Sequence, residues 1–247
     1  MAWQHLGLPQ FPSAVGFTWL RVYDSVAPDG VRGGSPHVHL ASTKAYVTVA
    51  GHGEVHTLGP DGFGTLDLRP GAVVWFEPGI IHRLVNTSSD LEIFVVMQNN
   101  GLPEAGDAVL TVPEVILTDP DTYRSAAGPE VASAVKWPVD AAVLRNLAVE
   151  GFTAMLDADD TDRLARYERF LKNAVSLRRD PVSEWRQLWQ ERPLAEAQRT
   201  GERLDEIEVG AITALMQARV ASYMPKAEPA VGMCGQLDTY LPEGWTH

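Results

Sequence analysis

Cysteine is almost absent from this chain. Cys234 stands alone among 247 residues, so no disulfide can close within it. A lone thiol fits a reducing compartment, and Met1-Ala-Trp-Gln-His lacks the basic start and apolar core of an export signal. A cytoplasmic location is the expectation. Long apolar runs are missing too: none reaches the roughly eighteen residues of a membrane helix, so no membrane partner is expected. Positive charge is scarce, 20 Lys and Arg against 32 Asp and Glu for a net −12. That balance argues against nucleic acid as a partner, because neutralising phosphates needs clustered Lys and Arg. There is no Gly-x-Ser-x-Gly elbow and no phosphate-cradling Gly-x4-Gly-Lys-Ser/Thr. Met233-Cys234-Gly235 has no histidine near it in sequence, so a buried thiol is expected rather than a nucleophile.

What is present divides the chain. An apolar content of 45% is ordinary for a globular protein, and the length suits one large domain or two small ones. Residues 1 to 110 hold five of the Lys and Arg against ten Asp and Glu, and the other fifteen basic residues lie downstream. The first half thus reads as a sparsely charged sheet structure and the second as solvated helix faces. Residues 1 to 14 read as an arm that packs Trp3. Strands are expected at Phe17–Val26, Tyr46–Val49, Glu54–Leu58, Gly64–Leu68, Ala72–Phe76, Ile81–Val85, Leu91–Met97 and Val109–Leu117. Ala50-Gly51-His52-Gly53 is a hairpin signal. Many short strands at this spacing indicate an antiparallel barrel or sandwich. After Thr118-Asp119-Pro120, apolar residues recur at helical intervals over 139–156, after an Asp160-Thr161 cap, after Asp180-Pro181, and from about Gly201 to Tyr223.

Chemistry concentrates between Ser35 and Asn86. His37 and His39 point the same way on a strand, and His82 follows a Pro-Gly turn. Three convergent neutral imidazoles with an open side are a usual ligand set for a catalytic divalent metal. The spacing is His37-x-His39, four residues, Lys44, six residues, Gly51, and then Gly71, Gly79, His82 and Asn86 with Glu77-Pro78 before the glycine. These residues closely resemble the two signature motifs of the cupin superfamily over roughly residues 15 to 118. Lys44 stands where the family usually has a metal-binding glutamate, and Glu77 where it has a proline. The resemblance implies an antiparallel jelly-roll barrel at 15–118; with the helical periodicity downstream, the expectation is a mainly β plus α chain in which an α-helical region at 119–247 follows the barrel.

The resemblance further implies one divalent transition metal ion on His37, His39 and His82. Iron comes first, with zinc, nickel, manganese or copper as alternatives. It also implies a homodimer. An inward Lys44, about 6 Å from a dication, would meet a repulsion of about 5 kcal/mol at an effective dielectric of roughly 20. Deprotonation, an outward swing or a bridging anion would relieve it; a slightly different strand register would instead leave Lys44 on the surface. Tyr46 shares its face and either lines the cavity or packs. Lys44 and Tyr46 are the candidate catalytic residues. His56, Gln98, Asn100 and one of Trp75 and Phe76 are further candidates for the cavity. His52, His5 and His247 are expected to be solvated or terminal, and Trp185 and Trp189 to be helix core. The expected activity is a metal-dependent reaction on a small, preferably anionic, organic molecule. Dioxygenase-like oxidation comes first, ahead of isomerase, cyclase or lyase chemistry; a non-enzymatic binding or sensing protein is the other class. The segment from Cys234 to His247 is a candidate lid.

Overall fold

The computed structural model describes residues 11–103, 105–127, 141–218, 220, 222–225 and 228–240. Expectations for Trp3, His5 and His247, and for the chain beyond residue 240, lie outside these residues. Nine strands come first among the described residues: β1 (Gly16–Val22), β2 (His37–His39), β3 (Lys44–Ala50), β4 (Gly53–Gly59), β5 (Gly62–Leu68), β6 (Val73–Phe76), β7 (Ile81–Asn86), β8 (Glu92–Met97) and β9 (Ala108–Leu110). Helices follow: α1 (Glu114–Leu117), α2 (Pro120–Ala127), α3 (Ala141–Leu156), α4 (Asp160–Leu177), α5 (Val182–Trp189), α6 (Ala195–Glu208) and α7 (Thr213–Met216). Two more strands, β10 (Ala230–Val231) and β11 (Gly235–Thr239), come last. No helix among the described residues is long and apolar enough to cross a membrane.

The strands form two antiparallel sheets, ordered β10-β11-β1-β8-β3-β6 and β5-β4-β7-β2-β9. This is the expected jelly roll, but the sheets pack face to face without closing into a barrel. The expected hairpin at Ala50–Gly53 is also corrected. β3 pairs with β6 and β8, whereas β4 pairs with β5 and β7, so that turn carries the chain from one sheet to the other. Val109–Leu117 is a three-residue strand and then a helical turn, with Pro113 just ahead of the turn. Pro113 is the N-cap of that turn and has no N–H to give a strand ladder, so the strand cannot run on through it. The helix expected over 201–223 stops at Glu208, and Gly210, in the left-handed region (φ +72°), precedes α7.

Strand alternation sorts side chains into two cores. Leu20, Tyr46, Val55, Phe76, Leu84, Ile93 and Val95 fill the space between the sheets. Val38, Leu58, Ile81 and Leu110 instead join Leu144, Ala148, Phe152, Tyr167 and Phe170 of α3 and α4. The helices therefore cover the outer face of the five-stranded sheet, which explains why every residue of β2 and β7 is buried. Thr111 Oγ1 bonds the Ala148 carbonyl at 2.8 Å, and Tyr167 Oη bonds the Gly79 carbonyl at 3.0 Å. The latter bond fixes α4 to the turn that leads to His82.

Candidate metal centre

β2 presents His37 and His39 to the space between the sheets while Val38 faces the helices. Antiparallel pairing sets His82 of β7 directly opposite His37, and cross-strand partners share a face. The approach to His82 is a tight turn in which Ile80 N–H donates to the Glu77 carbonyl at 3.3 Å. Pro78 and Gly79 occupy its centre, and Gly79 has a φ of +98°, the left-handed value that position of a type II turn needs. Gly79 N–H donates to the His39 carbonyl at 2.9 Å, tying the turn to the strand that carries the other two histidines.

Each imidazole has its Nδ1 engaged by an oxygen. His37 Nδ1 lies 2.8 Å from the Ser35 carbonyl, His82 Nδ1 3.0 Å from the Ile80 carbonyl, and His39 Nδ1 2.6 Å from Asp107 Oδ1. All three partners are acceptors, so Nδ1 carries the proton and Nε2 keeps its lone pair. The ring centroids of His37 lie 5.2 Å from His39 and 4.3 Å from His82. The three candidate ligand atoms fall within 4.8 Å of one another. His39 Nε2 and His82 Nε2 are buried without a hydrogen-bond partner. Orphaned buried lone pairs are costly, and a divalent ion would satisfy them together. The residues fit a metal.

Burial pushes His37 and His82 well below the usual histidine range, helped by Lys44 and neighbouring imidazoles. His39 is lowered by burial against the opposing pull of Asp107. Burial pushes the Asp107 carboxyl up, but His39 and the hydrogen bonds to the carboxyl hold it below its ordinary value. The set is therefore neutral imidazole with one ionised carboxylate behind it, as metal-ligating histidines require.

The other sheet supplies the opposite wall. Lys44 is inward and only 8% exposed, with Nζ 3.4 Å from His37 Nε2 and 5.3 Å from the Tyr46 ring centroid. Burial lowers its ammonium from the usual lysine value. Tyr46 is buried with Oη unpartnered, and burial pushes its hydroxyl well up. Of the two aromatic candidates on β6, Phe76 lines the site and stacks on His82 at 4.2 Å, while Trp75 is 68% exposed.

Several candidates lie elsewhere. His56 pairs with Glu54 at 3.0 Å, away from the cluster. His52 sits in an exposed turn where its backbone N–H meets Ser88. Gln98 accepts from the Thr43 N–H, whereas Asn100 is buried with both side-chain polar atoms unpartnered. Trp185 is buried and bonds the Ala105 carbonyl, but Trp189 is exposed rather than core. Cys234 is buried, and burial pushes its thiol up.

Asp107 escaped sequence reasoning. It lies 68 residues from its partner His39, and its only local signal is an acidic residue between Gly106 and the short apolar run Ala108–Leu110.

No family model and no curated protein matches this chain. Among solved structures it is similar to a TDP-fucose-3,4-ketoisomerase from Campylobacter jejuni (16% identity, TM-score 0.28, 32% of this chain and 58% of that one). A predicted oxalate decarboxylase from Thermotoga maritima shows 20% identity and a TM-score of 0.28, over 33% of this chain and 64% of that one. CENP-C from Drosophila melanogaster, solved bound to CAL1, shows 14% identity and a TM-score of 0.27, over 33% and 58%. The chain spans less than two thirds of the length of each. By its two motif spacings, its two-sheet jelly roll and three imidazoles meeting between the sheets, this is a protein of the cupin fold.

Proposed function

We propose that this chain is a metal-dependent enzyme that acts on a small organic molecule at the His37–His39–His82 centre, with oxygen-dependent, dioxygenase-like oxidation as its reaction. The observation that carries this reading is the set of three imidazoles, each with Nδ1 tied to an oxygen, that aim their Nε2 atoms into one buried space, those of His39 and His82 without a partner and that of His37 beside Lys44 Nζ. A ferrous ion held there would supply sites for both substrate and dioxygen; zinc, nickel or manganese would supply Lewis acidity instead. Asp107 fixes the His39 tautomer. Phe76 holds the His82 ring in place and keeps water from that side. Lys44 offers a buried positive charge to an anionic substrate, and Tyr46 a hydroxyl donor on the same strand face.

Loading with ferrous iron under anaerobic conditions, then a screen of small organic acids with an oxygen electrode, tests the reading. Substrate-dependent oxygen uptake that disappears in His39→Ala is the expected result. Equal turnover with zinc and without oxygen would replace oxidation by isomerase, cyclase or lyase chemistry. Tight ligand binding with no turnover under any loading would make the chain a binding protein.

A further inference from the structure

We propose that the centre takes up a divalent ion and a small oxyanion as a coupled pair, with Lys44 as the residue that couples them. This inference rests on the metal reading above and adds its ligand class and regulation. With Nδ1 committed to the Ser35 carbonyl, His37 has one lone pair left for an ion, on Nε2. Lys44 Nζ already contacts that atom at 3.4 Å, whereas His39 Nε2 and His82 Nε2 have no partner. The ion must therefore take one of its three ligands from a lysine.

Among the described residues, no carboxylate pairs with Lys44. Its contacts are His37 Nε2 and the Tyr46 ring, its cross-strand neighbours are Phe76 and Met97, and Cys234 and Asp107 act on it only through space, without a hydrogen bond or ion pair to Nζ. Asp107 lies behind His39, with one oxygen on His39 Nδ1 and the other 3.4 Å from the Ala41 N–H. An arriving dication would thus share a buried space with an ammonium and no anionic ligand, and like charges there repel strongly. A carboxylate removes both obstacles. It accepts from Nζ, which frees the His37 lone pair, and it brings the negative charge that the usual glutamate would have supplied. Tyr46 Oη, buried and unpartnered, adds a neutral donor on the face of β3 that carries Lys44. Coupling is reciprocal, so the ion also tightens binding of the anion by the same factor.

Cobalt(II) titration against a chromophoric chelator, with acetate or chloride at equal ionic strength, tests the coupling; the visible spectrum of bound cobalt is a second readout. Acetate should tighten cobalt binding to the wild type by about tenfold or more and change its spectrum. Lys44→Met should bind cobalt in chloride as tightly as the wild type does in acetate, and should lose the response to acetate. Lys44→Arg should retain it. Equal wild-type affinity in both salts, or Lys44→Met no tighter than wild type in chloride, overturns the coupling while leaving the metal centre standing. Should neither folded protein take up cobalt in either salt, or should His39→Ala bind it as well as the wild type, the metal reading itself fails and the coupling with it.

Discussion

Asp107 illustrates how a residue away from the ion can govern the site. Its carboxylate is the acceptor that keeps the His39 proton on Nδ1, and outer partners of this kind typically contribute 10- to 100-fold to metal affinity. Asp107→Asn keeps the shape and removes the charge. It should weaken ion binding by about 10- to 100-fold in a chelator competition, with an unchanged far-UV spectrum. The three histidines were legible in the sequence because fixed intervals register them on two paired strands. Strand alternation placed Lys44 and Tyr46 on one face, but which face that was depended on the packing of the two sheets. Asp107 was illegible because a loop, not a repeat, delivers it. A second residue-scale prediction concerns Arg83, which is buried on the outward face of β7 and bonds Asp29 through both oxygens. Burial pushes Asp29 up, but Arg83 outweighs it and holds the carboxyl below its ordinary 3.8. A carboxyl depressed in the folded state contributes stability above its unfolded value and loses it as pH falls through the folded one. Asp29→Asn should therefore cost about 2–3 kcal/mol at neutral pH, less than a fully buried pair would. Thermal melts of wild type and variant should converge below about pH 4.

The helical elements were expected from their periodicity, yet what they do depends on distances that no pattern encodes. α3 lies so close to the chain leaving β9 that a Cβ on Gly151 would sit 2.0 Å from the Thr111 carbonyl oxygen and 2.6 Å from the Val112 carbonyl carbon. Both obstacles are backbone, so neither can rotate away. The glycine that weakens α3 as an isolated helix is what lets it dock, and Thr111 Oγ1 completes the contact on Ala148. Gly151→Ala should lower stability by about 3 kcal/mol or more, the upper end of overpacking costs, although alanine is the better helix former. Chemical denaturation checks this: a variant more stable than wild type would mean that α3 does not pack there. The same element also accounts for β2 and β7. With α3 and α4 behind them, these strands are buried on both faces, so their sequence lacks the apolar–polar alternation of a one-sided sheet.

At the scale of the whole chain, the helices are an insertion between strands of the jelly roll. β11 returns to pair with β1 from Thr18↔Thr239 to Val22↔Gly235, and Arg21 locks it with two bonds to Asp238 at 2.7 and 2.8 Å. Gly-Gln-Leu-Asp-Thr is too short and too polar to read as a strand, which is why the sequence suggested helix, and a candidate lid, over this part of the chain. The return puts Met233 and Cys234 against the interior: the Ser35 N–H bonds the Met233 carbonyl at 3.0 Å, and Cys234 joins the apolar core between the sheets. The chain's only thiol thus reports on whether the last strand is in place. A Cβ on Gly235 would lie 1.9 Å from the Arg21 carbonyl oxygen, so Gly235→Val must push β11 off β1. Wild-type Cys234 should react with an aromatic disulfide reagent only as fast as the protein unfolds, because a buried, protonated thiol is inert. In Gly235→Val the reaction should accelerate by about tenfold or more at temperatures where circular dichroism still shows a folded protein, the signature of local rather than global opening. Equal rates in the two proteins would mean that β11 does not seal the interior, and that its pairing with β1 is dispensable to the fold.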